Sequence, residues 1–317
     1  MGGRVLVVGS YNQDHVWSTD ALPAPGATRL GRYATGPGGK GFNQAVAAAR
    51  AGASTVFIAA LGDDAAAAHA RSLATADDID LRDQVCPELA TGSAGIYVDA
   101  GGRNMILVAP GANAALSADF VLAQRDALET ADVLLAQLEV PPEAVLAALQ
   151  AARERGVLTL LNPAPANAPT STALLQAADL LTPNETEFAA LLARHAGRQL
   201  AAEQLATLGE DELHAACREL APHASVVLTL GADGAFVSHG RRRYGDSRDC
   251  YRVPAMPART VDTTGAGDAF SGALAAALAA GSTPFAEALA FASRYAARST
   301  ERHGAALAMP RRDELAD

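Results

Sequence analysis

Short apolar runs recur along the chain at Val5 to Val8, Val56 to Ala60, Val133 to Ala136, Leu158 to Leu161, Leu180 to Leu181 and Val226 to Leu230, with helical spacing between them. Runs this short and this uniformly apolar fit strands buried on both faces, because a strand with one wet face alternates apolar and polar residues. Two of the intervening segments carry clear punctuation. Asn43 to Ala51 stops at Gly52, and the segment opening at Pro141-Pro142 stops at Gly156, as helices with proline starts and glycine stops do. Strand-helix-strand order closes most readily as parallel pairs joined by crossover helices, which predicts a Rossmann-like three-layer α/β/α domain around a mainly parallel sheet. Two stretches break the rhythm: Tyr11 to Gly36 has extended pieces around Pro23, Pro25 and Gly26, and Ile96 to Val108 reads as a hairpin over Ala100-Gly101-Gly102. Residues 11–36 and 92–109 are therefore expected to form a small antiparallel β lid on a single domain spanning residues 1–317, with no internal repeat or linker.

The chain has 317 residues, 50% of them hydrophobic, enough for a sizeable core. No apolar run approaches the roughly 18–20 residues that cross a bilayer, and the opening apolar run is too short for an export signal, so a cytoplasmic protein with no membrane partner is expected. A formal charge of -10 argues against a nucleic-acid partner, which needs a broad basic face. Cys86, Cys217 and Cys250 show no spacing that suggests zinc or a disulfide framework. Of the 25 basic residues Lys40 is the sole lysine, set in Gly38-Gly39-Lys40-Gly41. A compact, hydrated ammonium there differs physically from a planar guanidinium. It either neutralises phosphate charge or pairs with a lid carboxylate and orders the loop.

The strongest chemical signal is Asp262-Thr263-Thr264-Gly265-Ala266-Gly267-Asp268, followed by an apolar helical pattern to about Ala280. Small residues at a helix start let consecutive backbone N–H groups converge on an anion, and the helix dipole adds positive potential. Gly265, Ala266 and Gly267 would form that anion hole. Asp268 would stand beside it as a base for an attacking hydroxyl, or else merely cap the helix. Asn12 and Asp14, two apart in an extended segment, point to one side and can bracket neighbouring hydroxyls of a ligand; alternatively they are turn residues after a strand.

Eight segments in order resemble the ribokinase-like (PfkB-type) carbohydrate kinase family: Gly9 to His15, Gly38 to Ala45, Gly111 to Leu116, Gln137-Leu138-Glu139, Asn162 to Ala166, Thr182 to Glu187, Thr229-Leu230-Gly231 and the aspartate motif. The resemblance spans nearly the whole chain. It implies ATP-dependent phosphorylation of D-ribose at the 5-hydroxyl with Asp268 as base, or of another sugar or nucleoside on the same scaffold. It implies that Asn12, Asp14, Gly38, Gly39, Lys40, Asn43 and Glu139 hold the sugar under the lid, and that Asn184, Thr229, Gly231, Gly234 and Gly267 line the ATP site. Glu187 would join the water network of Mg²⁺. Asp262, Thr264, Ser299, Arg302, Gly304 and Ala308 would surround K⁺, mostly through carbonyls, although Ala308 lacks the hydroxyl common at that position. The resemblance further implies a homodimer through the lid. Phe42 departs from the alanine common at that position in the family, and either packs against the helix or bears on pentose selectivity.

Three other classes fit less well. Gly36-Pro37-Gly38-Gly39-Lys40-Gly41 matches G-x-G-x-x-G with Asp63 downstream, as in a dinucleotide-dependent oxidoreductase, but Pro37 occupies the turn and Arg32 to Thr35 reads as irregular lid. In a Walker-type site the residue after the lysine is Ser or Thr, where this chain has Gly41. A non-catalytic sugar sensor would have little use for Asp268 and its glycine turn.

Overall fold

The computed structural model describes residues 2–281 and 283–315. Its strands are β1 (Arg4–Val8), β2 (Asn12–Thr19), β3 (Arg32–Gly38), β4 (Ser54–Leu61), β5 (Asp80–Val85), β6 (Ser93–Asp99), β7 (Asn104–Ala109), β8 (Val133–Ala136), β9 (Leu158–Leu161), β10 (Leu180–Leu181), β11 (Ser225–Thr229), β12 (Ala235–Ser238) and β13 (Cys250–Val253). The α-helices are α1 (Lys40–Arg50), α2 (Ala65–Ala76), α3 (Ala118–Ala123), α4 (Arg125–Thr130), α5 (Pro142–Glu154), α6 (Thr172–Gln176), α7 (Glu185–Ala196), α8 (Ala202–Leu205), α9 (Glu210–Leu220), α10 (Ala266–Ala279) and α11 (Phe285–Ser299).

The larger sheet has nine strands in the order β13-β12-β11-β10-β9-β8-β1-β4-β5. Pairing is parallel from β11 to β5, and β12 and β13 add antiparallel strands at one edge. Alternation along each strand divides the core into two layers. Leu6, Val8, Leu134, Ala136, Leu161 and Leu181 face α5, α7 and α9, whereas Val5, Val7, Val133, Leu135, Leu160 and Leu180 face α1, α10 and α11. The apolar runs are thus continuous because both faces are covered, which is the three-layer α/β/α arrangement expected.

The smaller sheet has the order β3-β2-β6-β7. Two antiparallel pairs, β2 with β3 and β6 with β7, are joined by a parallel β2–β6 pairing. Residues 32–35 are not irregular: they belong to β3, an edge strand in which Pro37 stands opposite Gln13, a place where a missing N–H is tolerated. Helix α1 also begins three residues before the expected Asn43. Gly39 (φ 85°) turns the chain out of β3, so that Lys40 is the first helical residue. A positive side chain at the positive end of a helix opposes the macrodipole by roughly 0.3–1 kcal/mol.

Candidate active site

β1 lies between β4 and β8, so the chain departs from it to both sides of the sheet. The carboxyl ends of strands at such a switch point open a crevice. Into that crevice run Ser10 after β1, Glu139 after β8, Asn162 after β9, Asn184 after β10 and Gly231 after β11. Sheet order therefore sets site order, with the β1 and β8 loops at one end and the β10 and β11 loops at the other.

At the centre Gly265, in a left-handed conformation (φ 76°), precedes Ala266 and starts α10. Asp268, in the first turn, does not cap it. Its buried carboxylate accepts hydrogen bonds from Asn43 Nδ2 and Gln44 Nε2, each at 2.9 Å. Gln44 is held in turn by Asn162 Oδ1 at 3.0 Å and by the side chain of Gln137. Burial pushes the Asp268 carboxyl above its usual range, against the Lys40 charge and the two amides. Asn43 Oδ1 is buried and has no partner among the described residues.

Burial lowers the affinity of the Lys40 amine for its proton, but the carboxylates of Asp268, Glu139 and Glu187 more than offset this and hold it above the ordinary lysine value. None of the three lies in the small sheet. Glu139 Oε2 accepts from Ser10 Oγ at 2.6 Å and from the Lys40 backbone N–H at 3.0 Å.

Asn12 and Asp14 both lie in β2, opposite Gly38 and Gly36. A Cβ on Gly39 would fall 2.7 Å from the Asn12 nitrogen, and its φ of 85° also favours glycine, whereas one on Gly38 would meet the Asp14 side chain, 2.2 Å from Oδ2. Burial, and then the Glu139 charge, raise the Asp14 carboxyl to about 7. Phe42 packs edge-on against Tyr11 with centroids 5.2 Å apart and against Phe57 at 6.0 Å; it is a core residue under the site.

At the other end a cavity of about 760 Å³ is lined by Asn184, Thr229, Gly231, Gly234 and Gly267, and continues past the apolar segment Ala255–Ala258. A smaller cavity of about 140 Å³ brings Lys40, Glu187 and Gly265 to Asp268 together. Asn184 is the N-cap of α7. Its Oδ1 accepts from the Glu187 N–H at 2.8 Å, and Glu187 Oε2 accepts from the Asn184 N–H at 2.9 Å. This leaves the Asn184 amide N–H₂ and the second Glu187 oxygen without hydrogen bonds among the described residues. Burial raises the Glu187 carboxyl.

Asp262 joins two loops by accepting from the Thr264 N–H at 2.9 Å and the Gly304 N–H at 3.0 Å. Those bonds hold its carboxyl low despite burial. Ser299 Oγ donates to the Ala296 carbonyl, the Arg302 guanidinium pairs with Glu314, and Ala308 is buried in a 3₁₀ turn. Arg302 and Ala308 therefore have only backbone oxygens to offer an ion. No cluster of three or more His, Cys, Asp or Glu side chains suited to a metal occurs among the described residues.

Ser10, Gln44, Asn113 and Asn162 lie within the motifs, but their roles depend on partners distant in sequence. Asn113, 102 residues from Tyr11, binds its backbone on both sides.

Known proteins match nearly the whole chain. The model for the pfkB family carbohydrate kinases matches residues 3–312. A ribokinase of Haemophilus influenzae is 39% identical over 99% of this chain and 97% of its own length. A bifunctional ribokinase/ribose-5-phosphate isomerase A of Fructilactobacillus sanfranciscensis is 35% identical over 98% of this chain, which spans 55% of that longer protein. The solved structure of Arabidopsis thaliana ribokinase complexed with ribose and ATP superposes with a TM-score of 0.80 at 29% identity, covering 99% of this chain and 98% of that one. With its aspartate held by two amides at a helix start and a nucleotide-sized cavity beside it, the chain belongs to the pfkB family of carbohydrate kinases.

Proposed function

We propose that the protein transfers the γ-phosphoryl group of ATP to the 5-hydroxyl of D-ribose, giving ribose 5-phosphate and ADP. The observation that carries this reading is the buried Asn43 carbonyl oxygen, which lacks a partner among the described residues while the same amide holds the Asp268 carboxylate. A buried acceptor of this kind is satisfied by a ligand that donates, and a sugar hydroxyl beside a base does so. Likeness to a ribokinase complexed with ribose and ATP supports the same reading.

Asn12, Asp14, Gly38, Gly39, Asn43 and Glu139 hold the sugar, with the small sheet as its lid. Asp268 takes the proton as the hydroxyl oxygen attacks phosphorus and the bond to the ADP oxygen breaks. The N–H groups of Gly265 to Gly267 and the Lys40 ammonium face the charge on the transferred group, with Gly267 also at the ATP phosphates. Asn184, Thr229, Gly231 and Gly234 line the nucleotide site. The donor set suits a largely hydrated Mg²⁺ that neutralises phosphate charge, with Glu187 reaching its waters, since magnesium needs no all-protein cage. Asp262, Thr264, Ser299, Arg302 and Gly304 would hold K⁺ through oxygens of the two loops that Asp262 joins, with Ala308 offering a carbonyl alone.

Among the described residues, eight of the thirteen exposed large hydrophobics, Trp17 and Leu107 among them, lie in the small sheet or the β2–β3 loop. Patches of this kind mark association sites, and a homodimer through the lid accounts for them. Coupled ADP release with D-ribose, 2-deoxyribose, fructose and nucleosides tests the substrate; a higher kcat/KM for a nucleoside than for ribose would overturn the reading.

A further inference from the structure

We infer that Asn113 is a positioning residue that locks the Asn12 amide with its N–H₂ group free for the sugar, and that this lock sets the preference for ribose over 2-deoxyribose. The inference rests on the proposed assignment of Asn12 and Asp14 to the sugar hydroxyls.

Asn113 is buried in the 3₁₀ turn Gly111–Ala115 that follows β7. Its Oδ1 accepts from the Tyr11 N–H at 3.0 Å, and its Nδ2 donates to the Tyr11 carbonyl at 2.8 Å. A backbone N–H only donates and a backbone carbonyl only accepts, so these two contacts independently fix which way the Asn113 amide faces. The same Nδ2 donates to Asn12 Oδ1 at 2.9 Å. Asn12 must therefore turn its oxygen to Asn113, and its own Nδ2 has no hydrogen bond to any described residue. Gly92, just before β6, closes over the contact: a Cβ there would fall 2.1 Å from Asn113 Nδ2 and 2.4 Å from Asn12 Oδ1.

A hydroxyl is best held by one donor and one acceptor. Asn12 Nδ2 supplies the donor, and Asp14, in the same strand, supplies the acceptor. With Asn12 reversed, the hydroxyl would meet two acceptors and could satisfy only one. A sugar lacking that hydroxyl makes neither bond, so the orientation of Asn12 affects ribose and leaves 2-deoxyribose nearly unaffected.

The test is steady-state kinetics of Asn113→Asp and Asn113→Ala with both sugars, alongside thermal melts. The carboxylate introduced by Asn113→Asp would still accept from the Tyr11 N–H but would draw the Asn12 amide round to donate. The expected result is a fall of about tenfold to a hundredfold in kcat/KM for ribose, mostly through KM, with a change under about threefold for 2-deoxyribose. Parallel losses for the two sugars, or an unchanged ratio, would overturn the inference. Should both variants fail to fold, ¹H–¹⁵N spectra of the wild-type protein decide: the Asn12 side-chain N–H₂ resonances, assigned with Asn12→Asp, should shift with ribose and stay with 2-deoxyribose. Equal shifts with both sugars, or none, would reject the lock. Asn12→Ala separates the two layers. If it leaves the sugar ratio unchanged, the assignment of Asn12 to the sugar fails; if it collapses the ratio and the Asn113 variants do not, only the lock fails.

Discussion

Gln44 Nε2 lies 2.9 Å from Asp268 Oδ1, while Asn43 Nδ2 lies 2.9 Å from Oδ2, so adjacent residues of α1 hold both oxygens of one buried carboxylate. Two amide donors leave that carboxylate oriented and still basic, because neither donor carries a proton that it can transfer at neutral pH. Asp268→Asn is expected to lower kcat by at least about a hundredfold, as loss of a general base does, with Kd values for ATP and ribose within several-fold of wild type. Turnover above about a tenth of wild type would remove Asp268 from this role.

Lys40 stands at the start of α1 against the helix dipole, among the carboxylates of Asp268, Glu139 and Glu187. A cation kept there despite the helix dipole points to a charge requirement at the site. Lys40→Met should lower kcat by more than about tenfold with a smaller change in KM for ribose. Lys40→Arg should also be damaging, since a planar guanidinium fork cannot reproduce the compact point charge of the ammonium in the small cavity that Lys40 shares with Asp268. A near-normal Lys40→Arg together with a pure KM effect in Lys40→Met would mean that Lys40 acts on sugar binding alone.

Asp14 gives a pH signature. Its carboxyl is raised to about 7 in the folded protein from 3.8, so between those values the ligand-free fold binds a proton that the unfolded chain has lost. Stability from this group is fullest at low pH and declines as pH rises through that window. Asp14→Asn should therefore raise the Tm of the sugar-free protein more at about pH 8 than at about pH 5. In the proposed complex Asp14 accepts from ribose as the ionised carboxylate, so wild-type KM should rise as pH falls below about 7. A flat KM profile across that range would contradict the assignment.

Ile106 and Leu107 are 56% and 77% exposed on β7 and point to opposite faces of the small sheet. In a dimer formed through that sheet, Ile106→Glu or Leu107→Glu should halve the mass seen in analytical ultracentrifugation, and which of them does so identifies the buried face. Wild-type protein sedimenting as a monomer would dispose of the dimer.

The central strands were readable in the sequence because burial on both faces leaves uninterrupted apolar runs, as at Val5 to Val8 and Val133 to Ala136. β5 was not readable in the same way: Asp80–Val85 lies at the sheet edge and its apolar pattern is broken by Asp80, Arg82 and Asp83. The glycine turn before Asp268 and the Asn12–Asp14 spacing were likewise visible, because a turn and a strand are local properties of the chain. The start of α1 was hidden, since Lys40 is an unusual first helical residue and only the close packing of Gly39 against Asn12 shows where β3 ends. What tertiary structure alone decided is which amide faces which partner. Gln44 meets Asp268 across 224 residues and Asn113 meets Asn12 across 101. Such contacts depend on how β1, α1 and α10 pack together. Side-chain amides have no preferred face until fixed donors and acceptors surround them, so sequence specified the groups present and folding specified the direction of their hydrogen bonds.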